Sequence, residues 1–192
     1  APITTNGSDT ITFIASQNVN ISDVTNAGKD INVTSTNANV ITGKLTTTST
    51  SAASGNVTIT ASKGSVSVNS IVTQSPNNKA GDITIQALNN IQTTGSTNIN
   101  GVEYAIAAFT NIGNGGNISL TSNTGGINVS SGRVSTTTSN GTSGSVNFKA
   151  AGDIITGTGT TPNPAVATFI NTGGIGTPNS ITFTSDSGAI NT

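Results

Sequence analysis

The chain has 192 residues, of which only 7% are charged, and its formal net charge at pH 7 is -1. So weak a charge excludes proteins that attract nucleic acid or an anionic membrane through a basic surface. Cysteine and histidine are absent, which excludes disulfide bonds, thiolate metal sites and general-base catalysis by histidine. No apolar run is long enough to span a membrane as a helix.

The remaining composition favours β-structure. Thr, Ser, Asn and Gly fill much of the chain, and its aliphatic residues are largely Ile and Val. β-Branched residues pack well on strands, while Gly and Asn tolerate the backbone conformations of tight turns. We therefore expect an all-β protein.

The first predicted element is a short strand that recurs seven times. In each copy two apolar residues and one small residue alternate with polar residues. The first column is Ile11, Ile31, Val57, Ile83, Ile118, Val146 and Ile181. The second is Phe13, Val33, Ile59, Ile85, Leu120, Phe148 and Phe183. The third is Ala15, Ser35, Ala61, Ala87, Ser122, Ala150 and Ser185. Because strand side chains alternate between faces, the three columns share one face.

Two further strands are predicted after each copy. The second begins eight or nine residues after the first, at Val66, Ile91, Ile127, Ile154 and Ile190. The third, with a weaker pattern, is predicted at Leu45, Ile71, Ile99 and Val134. Three short strands with a turn at each corner form one coil of a parallel β-helix. Seven coils at roughly 4.8 Å each give a rod about 34 Å long.

The coils differ in length. Successive first-column residues are 20, 26, 26, 35, 28 and 35 residues apart, which predicts variable insertions at one corner, after the third strand. The two longest insertions contain Ala105-Ile106-Ala107-Ala108-Phe109 and Ala165-Val166-Ala167-Thr168-Phe169. We expect both segments to fold back and bury Phe109 and Phe169 against the flank of the rod.

An antiparallel barrel or sandwich is the competing fold, since Asn-Gly hairpin signals occur at Asn6, Asn100 and Asn140. Antiparallel folds do not require the same type of side chain at the same phase of every repeat. Parallel stacking does, because each residue lies directly above its counterpart. The columns therefore favour the β-helix.

The repeat resembles a known group. The phrases Gly81-Asp82-Ile83-Thr84-Ile85, Gly115-Gly116-Asn117-Ile118-Ser119-Leu120 and Ala151-Gly152-Asp153-Ile154 resemble filamentous-haemagglutinin-like exoproteins, particularly the Thr/Asn/Gly-rich ones of cyanobacteria. The resemblance covers Ile11 to Thr192. It implies a right-handed β-helix, two-partner secretion, a secreted or cell-surface location, and use in adhesion or surface structures. The N-terminal secretion-signal region that such exoproteins carry is not recognisable in this chain. We therefore expect the chain to be a piece of the repetitive shaft.

The acidic residues are the main candidates for catalysis, because pectin-degrading β-helices use clustered carboxylates. They are Asp9, Asp23, Asp30, Asp82, Glu103, Asp153 and Asp186. Asp30 and Asp82 share the turn position before the first strand with Asn56 and Asn117, where Asx side chains accept hydrogen bonds from nearby backbone amides. We therefore predict turn residues and no enzyme, catalytic residue or cofactor. The calcium-binding nonapeptide is missing, so no metal is predicted either.

The outward positions of the first strand form a polar array. It consists of Thr12, Asn32, Thr58, Thr84, Ser119, Asn147 and Thr182, with Thr34, Thr60, Thr121 and Thr184 beside them. Such an array could bind ice or a glycan. Ile14, Gln86 and Lys149 interrupt the flanking row, however, and Thr is also an ordinary exposed strand residue.

Three residues are candidate surface contacts. Glu103 and Tyr104 lie beside the first long insertion, and Tyr104 is the only tyrosine. Arg133 lies at a corner. The competing interpretation is that all three are solvent-exposed loop residues without a specific partner.

The ends of the chain carry no recognisable cap. Natural solenoids protect their terminal coils with polar caps, whereas Ile11 is in register after ten residues and the chain ends just after Ile190. We expect residues 1–192 to be a single shaft segment that continues a longer rod or stacks end to end into a filament. The expected function is an extracellular structural or adhesive rod, with a surface glycan or cell-surface receptor as possible partner. Glycan binding, glycan-directed activity and ice binding are the alternatives.

Overall fold

The computed structural model describes residues 1–7, 9–157, 170, 171, 173 and 179–192. Their regular structure is entirely β, and these residues include no helix able to cross a membrane. In chain order the strands are β1 (Ile3–Thr5), β2 (Ile11–Ala15), β3 (Val19–Ile21), β4 (Val24–Asn26), β5 (Ile31–Ser35), β6 (Val40–Thr48), β7 (Val57–Ala61), β8 (Val66–Ser75), β9 (Ile83–Ala87), β10 (Ile91–Thr93), β11 (Thr97–Ile99), β12 (Val102–Thr110), β13 (Ile118–Ser122), β14 (Ile127–Asn128), β15 (Arg133–Ser135), β16 (Val146–Ala150), β17 (Ile154–Ile155), β18 (Ile170–Asn171), β19 (Ile181–Ser185) and β20 (Ile190–Asn191).

One sheet is formed by the predicted first strands. They stack in the order β2-β5-β7-β9-β13-β16-β19, and every adjacent pair is parallel. The register follows the predicted columns, since Val57 pairs with Ile31 on one side and Ile83 on the other. The seven predicted copies are confirmed as strands of one stack.

A second sheet joins the second and third strands, because β6 and β8 each run through the corner between them. The second strands stack as β3-β6-β8-β10-β14-β17-β20, and the third strands as β1-β4-β6-β8-β12-β15-β18. All of these pairs are parallel. The fold is therefore the predicted parallel β-helix.

The third strand of the fourth coil differs from its prediction. Ile71 pairs with Ile106, not with the predicted Ile99. Ile99 belongs instead to an antiparallel hairpin of β11 with the first residues of β12. The turn of this hairpin is Asn100-Gly101, with φ of 53° and 83°, a conformation that Asn and Gly adopt readily.

The variable corner also differs from its prediction. Fifteen residues separate Ile91 from Ile106, whereas five separate Val66 from Ile71, so the insertion lies between the second and third strands rather than after the third. The segment 105–109 is thus the third strand itself and not a fold-back. Phe109 is half-buried on the outside of that strand. The corresponding segment 165–169, with Phe169, lies outside the described residues.

The core fills the space between the two sheets. Ile31, Val57, Ile83, Ile118 and Val146 are at most 1% exposed, and Val33, Ile59, Ile85, Leu120 and Phe148 are completely buried. Parallel, in-register strands place each of these side chains against its counterpart in the next coil. Burying one such side chain contributes about 1.5–3 kcal/mol, so each of the two columns makes a large contribution to stability.

A buried polar column, which the sequence pattern did not reveal, lies two residues after the apolar position of the third strand. Thr47, Thr73 and Thr136 donate hydrogen bonds from Oγ1 to the carbonyl oxygens of Gly55, Gly81 and Gly144, at 2.6, 2.6 and 2.7 Å. Each bond links the third strand to the corner eight residues later. These hydroxyls hold the chain as it turns toward the next coil.

Replacing Thr73 with Val should therefore destabilise the rod. Thr73 is completely buried, and Val keeps its shape but leaves the Gly81 carbonyl without this donor. We expect a loss of about 1–2 kcal/mol in the free energy of unfolding, measured by urea titration. The control is Thr58→Val on the outer face, which should change it by less than about 0.5 kcal/mol. Equal effects of the two substitutions would contradict a role for the buried hydroxyl.

Candidate functional site

The predicted turn acids lie in rows that run along the rod. In the row before the first strand, the backbone N–H of Asn56 donates to Oδ1 of Asp30 at 2.7 Å, and that of Asp82 donates to Oδ1 of Asn56 at 2.8 Å. Asn117 and Ser145 continue the row, their N–H groups donating to Asp82 and Asn117 at 2.8 and 2.9 Å. We refer to these residues as the corner row.

The corner row adds one detail to the sequence prediction. Asx side chains were expected to accept from nearby backbone amides, and the structure specifies which ones, since each accepts from the coil that follows. The reason is the parallel stack, which places the same turn residue of the next coil directly above at about 4.8 Å. The carboxylates of Asp30 and Asp82 are thereby engaged in joining coils.

Two acidic side chains outside the corner row also accept hydrogen bonds from backbone N–H groups of the following coil. The carboxylate of Asp23 accepts from the N–H of Lys44 at 2.8 Å, and that of Asp153 from the N–H of Ala189 at 2.7 Å. Asp82 also forms an ion pair with Lys79, with Nζ and Oδ2 3.1 Å apart. Within the described residues no group of three acidic side chains is placed to hold a metal ion.

The polar array on the outer face of the first sheet is aligned as the sequence indicated. Thr58 pairs with Asn32 and Thr84, and Thr60 pairs with Thr34 and Gln86. The interrupting residues lie in the same flanking row. Ile14, for example, pairs with Thr34 and is 72% exposed. The array is a polar surface whose flanking row is interrupted at one end by Ile14, in the middle by Gln86 and near the other end by Lys149.

Two of the three candidate contact residues meet on the flank formed by the third strands, and the third is their neighbour in sequence. Tyr104 pairs with Arg133 of the next coil, and Glu103 precedes Tyr104 in β12. Sequence reasoning missed a fourth member, Phe109, whose ring stacks on Tyr104 with centroids 5.7 Å apart and planes at 24°. We call Glu103, Tyr104, Phe109 and Arg133 the flank cluster.

The two rings lie on the outside of β12 for a local reason. Ile106 and Ala108 belong to the core, so Phe109 faces outward by alternation. The register shifts between Tyr104 and Ile106, and this bulge puts Tyr104 on the same outer face. Ala107, which lies between Tyr104 and Phe109 in sequence, is completely buried.

Glu103 is fully exposed and is held by the hairpin. The hydroxyl of Ser96 donates to its Oε2, and Nδ2 of Asn98 donates to its Oε1 at 2.6 Å. These hydrogen bonds, first that of Ser96 and then that of Asn98, hold the pKa of Glu103 below its ordinary value, and the charge of Lys44 adds to the effect. Glu103 therefore remains a fixed negative charge at the edge of the cluster.

Comparisons with protein-family models, with curated proteins and with solved structures found no match for this chain.

Proposed function

We propose that the chain is a segment of an extracellular β-helical rod with a structural or adhesive role and no catalytic site. The observation that carries the proposal is the corner row, in which the carboxylates of Asp30 and Asp82 serve as acceptors between coils, as those of Asp23 and Asp153 do at other turns. A rod needs such contacts along its whole length, whereas paired acid–base chemistry needs carboxylates directed at a substrate. The resemblance to filamentous-haemagglutinin-like shafts supports the same function and a secreted or cell-surface location.

Electron microscopy of the purified chain tests the rod. We expect an elongated particle whose length corresponds to about 4.8 Å per coil. End-to-end stacking is part of the proposal, because β2 and β19 each pair with one strand only among the described residues of their sheet, and unpaired strand edges favour association. Stacking predicts filaments whose length increases with protein concentration, and a strictly monomeric light-scattering profile would overturn the stacking. Labelling of intact source cells with an antibody to the chain tests the location.

Glycan binding is a second candidate function, and the flank cluster is the observation that favours it. Stacked aromatic rings beside charged and amide side chains form an apolar centre with a polar rim, as in many ligand sites. This function is compatible with an adhesive rod. It predicts that glycan binding depends on Tyr104 and Phe109 and not on the outer face of the first sheet.

A further inference from the structure

The ring pair of the flank cluster forms a partly exposed aromatic platform on the flank of the rod. The chain has five Phe residues and one Tyr, and two of these six aromatic side chains stack here, each half-exposed. Next to Phe109 lie Gln74 of the preceding coil, its register partner, and Thr137 of the following coil. Both are partly exposed polar residues, so the platform has amide and hydroxyl groups at its rim.

Arg133 supplies a positive charge at the Tyr104 end of the platform. It is half-buried, and its Nε has no hydrogen-bond partner in the structure while being shielded from solvent. Among the described residues the one ion pair joins Lys79 to Asp82, so no described carboxylate neutralises Arg133. A shielded N–H donor such as this Nε is costly without an acceptor, and a carboxylate is the acceptor that the planar donors of a guanidinium group fit best.

Glu103 does not fill this role, although it is adjacent to Tyr104 in sequence. Its two carboxylate oxygens already accept from Ser96 and Asn98. Arg133 thus has no carboxylate partner among the described residues.

We propose that the flank cluster binds a carboxylate-bearing sugar, such as a uronic acid unit of an acidic polysaccharide. The apolar face of the sugar ring lies on Tyr104 and Phe109, and the carboxylate accepts hydrogen bonds from the Arg133 guanidinium group. The hydroxyl groups of the sugar contact the polar rim. The inference rests on the proposed surface location of the rod, since such a polymer would be met outside the cell.

Isothermal titration with two forms of one polymer tests the proposal. Polygalacturonate and its fully methyl-esterified form share a sugar backbone and differ in the carboxylate. We expect the acid form to bind at least tenfold more tightly. Arg133→Gln should weaken binding of the acid form by about ten- to hundredfold, because a hydrogen bond to a charged group is lost, and should leave the ester form unchanged. Lys149→Gln, which removes the same charge from the first sheet, is the matched control and should change neither.

The rings are tested separately. Tyr104→Leu combined with Phe109→Leu should weaken both polymer forms to a similar extent, with an unchanged circular dichroism spectrum to verify that the coils remain intact. Equal binding of the two polymer forms, or no binding of either, would overturn the proposal. So would displacement of polygalacturonate by dextran sulfate at equal concentration of charged groups, since the site would then accept any anion. If the particle is elongated but binds neither polymer, the sugar site is rejected and the proposed rod is retained. If the particle binds the polymer but is not elongated, the rod is rejected and the sugar site is retained.

Discussion

Gly81→Ala is expected to destabilise the rod by about 3 kcal/mol or more. A β-carbon at this position would lie 1.9 Å from the carbonyl oxygen of Gly55 in the preceding coil. Backbone atoms cannot rotate away as a side chain can, so the two coils would have to move apart. Overpacking of this kind typically costs 1–3 kcal/mol and more where the surroundings cannot relax.

The cost is high because hydrogen bonds on both sides of Gly81 depend on the close approach. The N–H of Gly81 donates to Oγ of Ser54 at 2.8 Å, and the N–H of Val57 donates to the carbonyl of Asp82 at 3.0 Å. The same crowding recurs along the corner, since a β-carbon on Gly116 would lie 2.1 Å from the Gly81 oxygen. None of these glycines has a positive φ, so close approach rather than backbone conformation explains them.

Urea unfolding monitored by circular dichroism measures the effect, and Gly152→Ala is the matched control. A β-carbon on Gly152 would be 3.3 Å from its nearest neighbour, the carbonyl carbon of Gly125, a contact that a small shift relieves. Because Ala also reduces the entropy of the unfolded chain, we expect this control to stay within about 1 kcal/mol of the wild type. Comparable losses in the two variants would show that the Gly81 corner is not tightly packed.

The first strands could be predicted almost completely from the sequence. Ile85 and Phe148 lie in the predicted column because side-chain alternation and the repeated phase leave one consistent register. The third strand could not be predicted in every coil. Ile99 lies eight residues after Ile91 and fits the spacing of an apolar strand position, but pairing with Ile71 selects Ile106.

The signal for this exception was present in the chain. Asn100-Gly101 is a strong hairpin dipeptide, a signal that is equally compatible with an antiparallel fold. It forms a local antiparallel hairpin of β11 and β12 that is inserted into a parallel β-helix. The length of the insertion in turn hid the register of β12, so the pairing of Tyr104 with Arg133, 29 residues later in the sequence, could not be inferred. Sequence reasoning therefore named Glu103, Tyr104 and Arg133 without predicting that Tyr104 and Arg133 meet.

The order of charges in the corner row leads to the second large effect. Asp30 and Asp82 are separated by Asn56, and Asn117 follows Asp82, so acidic side chains do not lie in adjacent coils of this row. Asn and the carboxylate of Asp offer the same acceptor oxygen, and the hydrogen bonds alone do not distinguish them. Like charges directly opposite each other on neighbouring strands are destabilising. The alternation thus keeps the acceptors while separating the charges by two coils, roughly 9.6 Å.

Combining Asn56→Asp with Asn117→Asp should accordingly destabilise the rod although every acceptor is retained. The variant places four carboxylates in consecutive coils and creates three adjacent like-charge pairs. At up to about 1 kcal/mol for each pair, and with partial neutralisation of Asp82 by Lys79, we expect a loss of about 2 kcal/mol at low ionic strength. Urea titrations at 0.01 M and 1 M NaCl measure it, and most of the loss should disappear at the higher salt concentration, where the Debye length falls from about 30 to 3 Å.

The control adds the same net charge away from the row. Asn123→Asp with Asn140→Asp places two carboxylates at exposed positions and should change the free energy of unfolding by less than about 0.5 kcal/mol at either salt concentration. If the corner-row variant lost stability equally at both salt concentrations, the loss would come from altered hydrogen bonding and not from repulsion between coils. If it lost none, the alternation of Asp and Asn would have no electrostatic basis. The salt dependence thus separates charge from geometry in the contact that joins each coil to the next.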